Sequence, residues 1–359
     1  MKRVGYLYEK LISDENLTLA ICEVNRAHKY YKHHRINHTV ERIQNHIEEY
    51  VVKLRKVIEQ GFEQSECRKF DRYDKAACKW RTISEPRLFP DQYVHHALIQ
   101  VLEPVFMRGM DDFCCGSVKG RGIHYGVKAL KKWNKNDVKG TKYCAELDIK
   151  HFYQNIQPKY VMDRLRQLVK DPKVLDLAER TLKGGVNIGS YTSQWYANVL
   201  LQPLDHLIRE CGLKVTHYLR YIDNFTLYSS NKRELHKAVN IIRDWLNKHG
   251  LDLKDNWQVF KTAGRYPSAL GYRYGHGYTL LRKKNLYRLK RQFAAFYRLR
   301  REHKKIPFSM ASGLISRIGQ LKHCNCARIY KEIVKPFTVK NVKAVIRAYS
   351  KAQLQICVA

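Results

Sequence analysis

Two aspartates near the middle of the chain stand where metal chemistry could be done. Tyr143, Ala145 and Leu147 alternate with polar neighbours, which predicts a half-buried strand ending at Asp148. Val215–Tyr221 and Phe225–Tyr228 are short β-rich runs joined by Asp223–Asn224, a hairpin signal with Asp223 at its tip. If these strands lie side by side, the two carboxylates meet. A pair of hard oxygen ligands in a basic chain points to Mg²⁺ rather than to a salt bridge. Two divalent ions ~4 Å apart would lower the pKa of an attacking hydroxyl and stabilise a leaving oxygen. Turn chemistry at Asp223 and a helix N-cap at Asp148 explain the same residue types, and spacing alone leaves these readings open.

The surrounding elements favour the pairing. Tyr160–Leu182 and Gln194–Cys211 read as helices. Asn231 with Glu234 resembles a capping box, and Leu235, Val239, Ile242 and Leu246 continue a helix that Gly250 stops. A strand-like run, Ser268–Tyr274, follows. The order is therefore β–α–ββ–α–β, the split βαβ pattern of an antiparallel sheet backed by helices, an α+β class. Upstream, Val40, Ile43, Ile47, Val51, Leu54 and Ile58 form one apolar helical stripe ended by Gly61. Arg68 to Ser84 is turn-rich and strand-like, with Lys69, Lys75, Lys79 and Arg81 projecting, before helical spacing returns through Val94–Met107.

Charge narrows the function. The 359 residues are 44% hydrophobic, enough for a large core and against a mainly disordered chain. A net charge of +34 calls for a polyanion, and nucleic acid is the obvious one. The excess is uneven: 20 of the 67 Lys and Arg lie from Leu281 onward, against Glu302 and Glu332 alone. A boundary near 280 follows, with a mixed-charge body before it and a basic helical tail after it. No repeat period argues for a solenoid. No apolar run approaches the ~20 residues of a membrane span, and Met1–Leu11 does not read as a secretory signal. The ten cysteines lack metal-ligand spacing, Cys114–Cys115 and Cys324/Cys326 being too close together, which predicts reduced cytosolic thiols.

Six short runs, in order, resemble the motifs of reverse transcriptases over roughly residues 65–285. Leu147-Asp148-Ile149-Lys150-His151-Phe152-Tyr153 looks like motif A. Gly185-Val186-Asn187-Ile188-Gly189-Ser190-Tyr191-Thr192-Ser193-Gln194 resembles motif B of the prokaryotic enzymes. Arg220-Tyr221-Ile222-Asp223-Asn224-Phe225 is similar to motif C, normally Tyr-x-Asp-Asp. Leu270-Gly271-Tyr272-Arg273-Tyr274 with Leu280-Leu281-Arg282-Lys283 looks like the primer grip. Lys79-Trp80-Arg81-Thr82-Ile83 with Val94-His95-His96-Ala97-Leu98 resembles the fingers motif, and Cys115-Gly116-Ser117 with Gly120-Arg121-Gly122-Ile123-His124 the next block. The flavour is that of compact bacterial and phage enzymes, of the diversity-generating retroelement or defence-associated type.

The resemblance implies a right-hand polymerase: residues 1–139 as N-terminal helices and fingers, 140–280 as palm, 281–359 as basic helical thumb. It implies catalysis by Asp148, Asp223 and Asn224, with Asp148, Asp223 and the Ile149 carbonyl holding two Mg²⁺ ions, Mn²⁺ being a substitute. Lys79 and Arg81 would neutralise the incoming triphosphate, with Arg81 favoured because a guanidinium forks onto phosphate oxygens. Tyr153 would be the steric gate against a ribose 2′-hydroxyl. Gly189 would admit the nucleotide and template closely, Gln194 would steady that loop or touch the templating strand, and Ile188 stands where retroviral enzymes carry a sugar-supporting glutamine, which implies lower fidelity. Lys254 or Lys261 would be the motif D proton donor. Arg121, Tyr272, Arg282, Lys283, Arg288, Lys290 and Arg291 would bind nucleic acid, while Tyr287, Phe293, Phe296 and Tyr297 would either grip the duplex with these cations and Arg298 or fill the thumb's own core.

Asn224 replaces the second motif C aspartate, keeping an oxygen lone pair and losing a charge; Gln92 after Asp91 replaces a usual arginine. The implied activity is extension of a primer 3′-hydroxyl with dNTPs on an RNA template, in the cytoplasm and away from membranes. A cognate structured RNA and an accessory protein are further expected partners, and no endonuclease or RNase H module is expected after the thumb. Two other functions share these residues: a defence enzyme making repetitive or untemplated DNA against phage, and a catalytically silent RNA-binding scaffold.

Overall fold

Leu17, Ala20, Ile21 and Val24 recur at helical spacing and are buried, so the N-terminal helices have one face to cover. The computed structural model describes residues 2–28, 34–74, 79–335 and 339–356. Helices α1 (Tyr8–Leu11), α2 (Asp14–His28), α3 (His34–Asn45) and α4 (Ile47–Glu59) open the chain. The apolar stripe expected to be one helix is broken at His46 (φ −133°, ψ 45°), and both halves pack on α2. The hairpin β1 (Arg68–Asp74) and β2 (Lys79–Glu85) follows, with Lys75 outside the described residues. Helix α5 (Tyr93–Met107) is buried nearly all round, as a helix apolar on every face must be.

Helix α6 (Ile123–Asn136) leads into the central sheet: β3 (Tyr143–Asp148), then α7 (Phe152–Asn155), α8 (Pro158–Leu168), α9 (Pro172–Thr181) and α10 (Tyr191–Glu210), then β4 (His217–Tyr221), β5 (Asn224–Ser229), α11 (Lys232–Lys248) and β6 (Gln258–Lys261). The strands are antiparallel in the order β4-β5-β3-β6. The split βαβ topology stands, with three corrections. Its last strand is Gln258–Lys261; Ser268–Tyr274 instead bends at Leu270–Gly271 into β7 (Ser268–Ala269) and β8 (Tyr272–Gly275), which form a separate sheet with β9 (Tyr278–Leu281). The helix expected over Tyr160–Leu182 divides where Pro172 begins α9, since proline fits a first helical turn and not an interior. Tyr221 pairs with Asn224, so the hairpin turn is Ile222–Asp223 rather than Asp223–Asn224.

The sheet is covered on both faces, and β3 is not half-buried. Ala145 and Leu147 join one core with α5, α10 and α11, while Cys144 joins a second with α6 and the C-terminal helices. Leu227 and Tyr228 on β5 divide the same way, as a two-residue side-chain period requires. The second core takes Leu289, Phe293 and Phe296 from α12 (Lys283–Arg301) and Leu314 and Ile318 from α13 (Phe308–Leu321), before α14 (Ala327–Ile329) and α15 (Val339–Ile356). At α11, Asn231 accepts a hydrogen bond from the Arg233 N–H, but Glu234 turns to Lys237 and the Lys214 N–H, so the capping box is half made. Among the described residues no helix is long and apolar enough to cross a membrane.

Candidate active site

Register decides where the two carboxylates go. Asp148, the last residue of β3, lies opposite Asn224, the first of β5, so Asp223 in the adjoining turn sits beside it. The Ile149 N–H donates to the Asp223 carbonyl at 3.0 Å, which ties the strand end to the turn. On the other side, residues 252–254 run along 148–150: Lys150 N–H donates to Asp252 O at 2.7 Å and Lys254 N–H to Asp148 O at 2.8 Å. That path brings Lys254 Nζ to 2.6 Å from Asp148 Oδ2. Lys261, the other motif D candidate, pairs with Tyr143 at the far end of β3.

The electrostatics are those of a pair short of positive charge. Asp148 Oδ1 is buried without a hydrogen-bond partner, an arrangement that costs free energy unless a cation or donor is supplied. Loss of water and then the neighbouring Asp148 push the Asp223 carboxyl above its ordinary pKa. Asn224 is exposed and its Nδ2 donates to Asp223 Oδ1 at 2.7 Å, so it orients the first aspartate instead of adding a second charge. Hard oxygen donors, one lacking any partner, fit a divalent cation held by Asp148, Asp223 and the adjacent Ile149 backbone.

Tyr153 lies on α7, beyond the end of β3, and is half-buried. Burial, with Asp223 next, pushes its phenol up to about 12, and the Arg81 guanidinium offsets part of that shift. Arg81 lies on β2, near enough to act on the Tyr153 phenol, and its Nε donates to Asp74 at 2.9 Å. Lys79 begins β2, exposed and opposite Asp74. The loop of the motif B run docks on this strand: the Ser84 N–H donates to Ile188 O at 2.7 Å. Gly189 (φ +124°) follows, and a Cβ there would stand 2.5 Å from Ser84 O. Only glycine fits. Ser190 is held by His95 Nδ1 at 3.2 Å and Thr192 Oγ1 at 2.9 Å, and burial drives His95 down to about 3, keeping it a neutral tie. Gln194 is exposed on the first turn of α10. Gln92 serves inside the fold, bonding His28 and the Pro86 carbonyl.

The residues expected to hold nucleic acid divide. Lys283, Lys290 and Arg291 are exposed on α12, one helical turn from Tyr287, which is 64% exposed. Arg288, half-buried, has partners of its own. Arg121 bonds the Asp111 carbonyl and pairs with Asp112. Arg282 folds back onto Ser268, bonding its Oγ at 2.8 Å and its carbonyl at 2.7 Å. Tyr272 is a correction: it is buried, its hydroxyl donates to Gln320 O at 3.0 Å, and it braces the small sheet against α13. Phe293 and Phe296 are buried and the Tyr297 hydroxyl donates to Ile333 O, so these three are core, and Tyr287 alone of the four faces outward. Residues around the site that sequence reasoning left without a role are His95, Asn198, Asp205 and Arg220; an acid on the apolar face of α10, among Leu201, Leu204 and Ile208, was the available signal for Asp205.

Comparison with known proteins agrees with this geometry. The family profile described as "Reverse transcriptase (RNA-dependent DNA polymerase)" matches residues 71–273. The chain belongs to the reverse transcriptase family. Among curated relatives, the nuclear intron maturase 1, mitochondrial, of Arabidopsis thaliana is 30% identical over 100 residues, 28% of this chain and 14% of that protein. The group II intron-encoded protein LtrA of Lactococcus lactis subsp. cremoris is 24% identical over 187 residues, 48% of this chain and 30% of LtrA. The chain thus spans less than a third of either relative. Telomerase from Candida albicans, solved with a fragment of telomeric RNA, gives a TM-score of 0.46 at 11% identity, covering 66% of this chain and 51% of that one. As a reverse transcriptase family member the chain has the expected right-hand polymerase fold, mixed helix and antiparallel sheet.

Proposed function

We propose that this chain is an RNA-directed DNA polymerase that adds dNTPs to a primer 3′-hydroxyl at the Asp148/Asp223 site. One observation carries the reading: an aspartate at a strand end and an aspartate in the adjoining hairpin turn come together at one end of the sheet, and the first keeps a buried carboxylate oxygen that nothing among the described residues satisfies. Asp148, Asp223 and the Ile149 backbone would hold two Mg²⁺ ions, which when bound supply an activated primer hydroxyl and charge stabilisation of the leaving pyrophosphate. Arg81 faces the triphosphate, its fork shared with Asp74 until a nucleotide arrives. Tyr153 closes the sugar side and excludes a 2′-hydroxyl. The Ile188–Gly189 loop receives the nucleotide close to the backbone, and Lys254 Nζ holds the proton delivered on the leaving side.

Residues 1–139 act as N-terminal helices and fingers, 140–280 as palm and 281–359 as thumb, with Lys283, Tyr287, Lys290 and Arg291 gripping the template–primer duplex through phosphates. The names of the curated relatives, an intron maturase and a group II intron-encoded protein, support a retroelement origin with a structured RNA partner, inside the cell. A silent RNA-binding scaffold is the poorer reading, because binding RNA does not require two carboxylates to be held together at a desolvation cost. Purified chain with Mg²⁺, dNTPs and primed RNA tests the proposal. Extension that disappears in Asp223→Ala supports it; no extension on primed RNA, with folded protein and either Mg²⁺ or Mn²⁺, overturns it.

A further inference from the structure

Ile222, immediately before Asp223, has φ +58°. A β-branched residue in the left-handed region is strained, so something must hold that backbone. The support comes from Arg220 on β4, which is fully buried together with Asp205 of α10. Each of its five N–H groups has an acceptor. Nε donates to Asp205 Oδ1 at 2.7 Å; Nη2 donates to Asp205 Oδ2 at 2.6 Å and to Asn198 O at 3.4 Å. Nη1 donates to Asn198 Oδ1 at 3.0 Å and to the Ile222 carbonyl at 3.1 Å. Asp205 also accepts from the Tyr218 hydroxyl.

A second contact confines the same turn. Asn198 Nδ2 donates to Gly116 O at 2.7 Å, and a Cβ at Gly116 would lie 2.4 Å from Ile222 Cγ1 and 2.9 Å from Ile222 N. The turn is thus clasped between α10 and the 113–116 loop. Stability alone gives no reason for this arrangement, since a buried ion pair is often matched or bettered by apolar residues of similar volume. What an apolar pair could not do is hydrogen-bond the Ile222 carbonyl.

We propose that Arg220 is a positioning residue: anchored by Asp205 and Asn198, it holds the strained Ile222 backbone and so aims the Asp223 carboxylate. Helix α10 has Ser190 as its N-cap residue, beside the Ile188–Gly189 loop, so the same helix registers the nucleotide loop and the carboxylate turn against each other. The inference rests on the metal-binding reading of Asp148 and Asp223.

The test compares the full chain with Arg220→Lys, which keeps a charge for Asp205 but cannot also reach Ile222 O, and with Arg220→Lys carrying Ile222→Gly, which removes the left-handed penalty. Mn²⁺ affinity of the metal-free protein is read by electron paramagnetic resonance, alongside melting temperature and single-turnover extension. Arg220→Lys should weaken Mn²⁺ binding about tenfold and lower kcat about 10- to 100-fold with the KM for primer–template unchanged. The added Ile222→Gly should recover most of the Mn²⁺ affinity. A folded Arg220→Lys with parental Mn²⁺ affinity, or a double variant with no recovery, overturns the proposal. If Arg220→Lys does not fold, Asn198→Leu, which leaves the Asp205 pair intact, must show the weakened Mn²⁺ binding, and parental affinity there overturns it equally. Failure of the polymerase reading looks different: the parent binds Mn²⁺ at Asp223 yet makes no DNA on any template.

Discussion

Asp223 loses water and faces another carboxylate, so the folded state favours its protonated form. The sign follows directly. Above the raised value the charged group costs the metal-free fold some stability, whereas below the ordinary carboxylate range both states are protonated and the cost is absent. Metal-free Asp223→Asn should therefore melt above the parent at about pH 7.5, with the gap closing below about pH 4. Equal melting at neutral pH would contradict this. For the parent, the Mg²⁺ concentration giving half activity should rise as pH falls toward the shifted value. Tyr153, half-buried and under the influence of both Asp223 and Arg81, is the residue proposed as the sugar-side wall. Tyr153→Val should raise ribonucleotide incorporation relative to deoxynucleotide by about tenfold or more, read in paired single-nucleotide extensions. An unchanged ratio would remove Tyr153 from that role.

Strand β2, assigned to the fingers in the proposal, and the loop before α10 are joined by the backbone hydrogen bond from Ser84 N–H to Ile188 O, and Gly189 lets it form. Gly189→Ala would drive a Cβ into Ser84 O at a backbone angle alanine resists. It should raise the KM for dNTP about tenfold while far-ultraviolet circular dichroism stays that of the parent; parental KM would contradict the loop assignment. Motif spacing made the carboxylate strand, the hairpin and this loop legible, because each is a local pattern with its own turn chemistry. The edge strand Gln258–Lys261 was not legible: four residues give too short a pattern, and its pairing with β3 is a tertiary choice. Arg220 and Asp205 escaped for a related reason. Asp205 stands out only as an acid on the apolar face of α10, and no spacing ties it to Arg220, fifteen residues on in a strand. Tyr272 failed oppositely, since a motif match identifies a strand without saying which face meets the core.

At the scale of the molecule the charge is the strongest statement, and it was readable from composition: +34 overall, concentrated after Leu281. Phosphate contacts release counterions, so affinity for a primed RNA should fall linearly with salt on logarithmic axes. Replacing Lys290 and Arg291 together by Gln should reduce that slope by about 1.4–1.8, measured by fluorescence anisotropy, if each meets one phosphate. An unchanged slope would take α12 off the nucleic acid. Less legible was the division of the apolar residues into two cores, one on each face of the central sheet. That division follows from the alternate sides of β3 and β5, and it sets the C-terminal helices against the face opposite α11. Sequencing the DNA made on a primed RNA of defined sequence reads directly whether Asp148 and Asp223 act as one templated centre. DNA complementary to that RNA, absent with Asp148→Ala and with Asp223→Ala, is the predicted result; DNA unrelated to the template, or synthesis that survives either substitution, would contradict it.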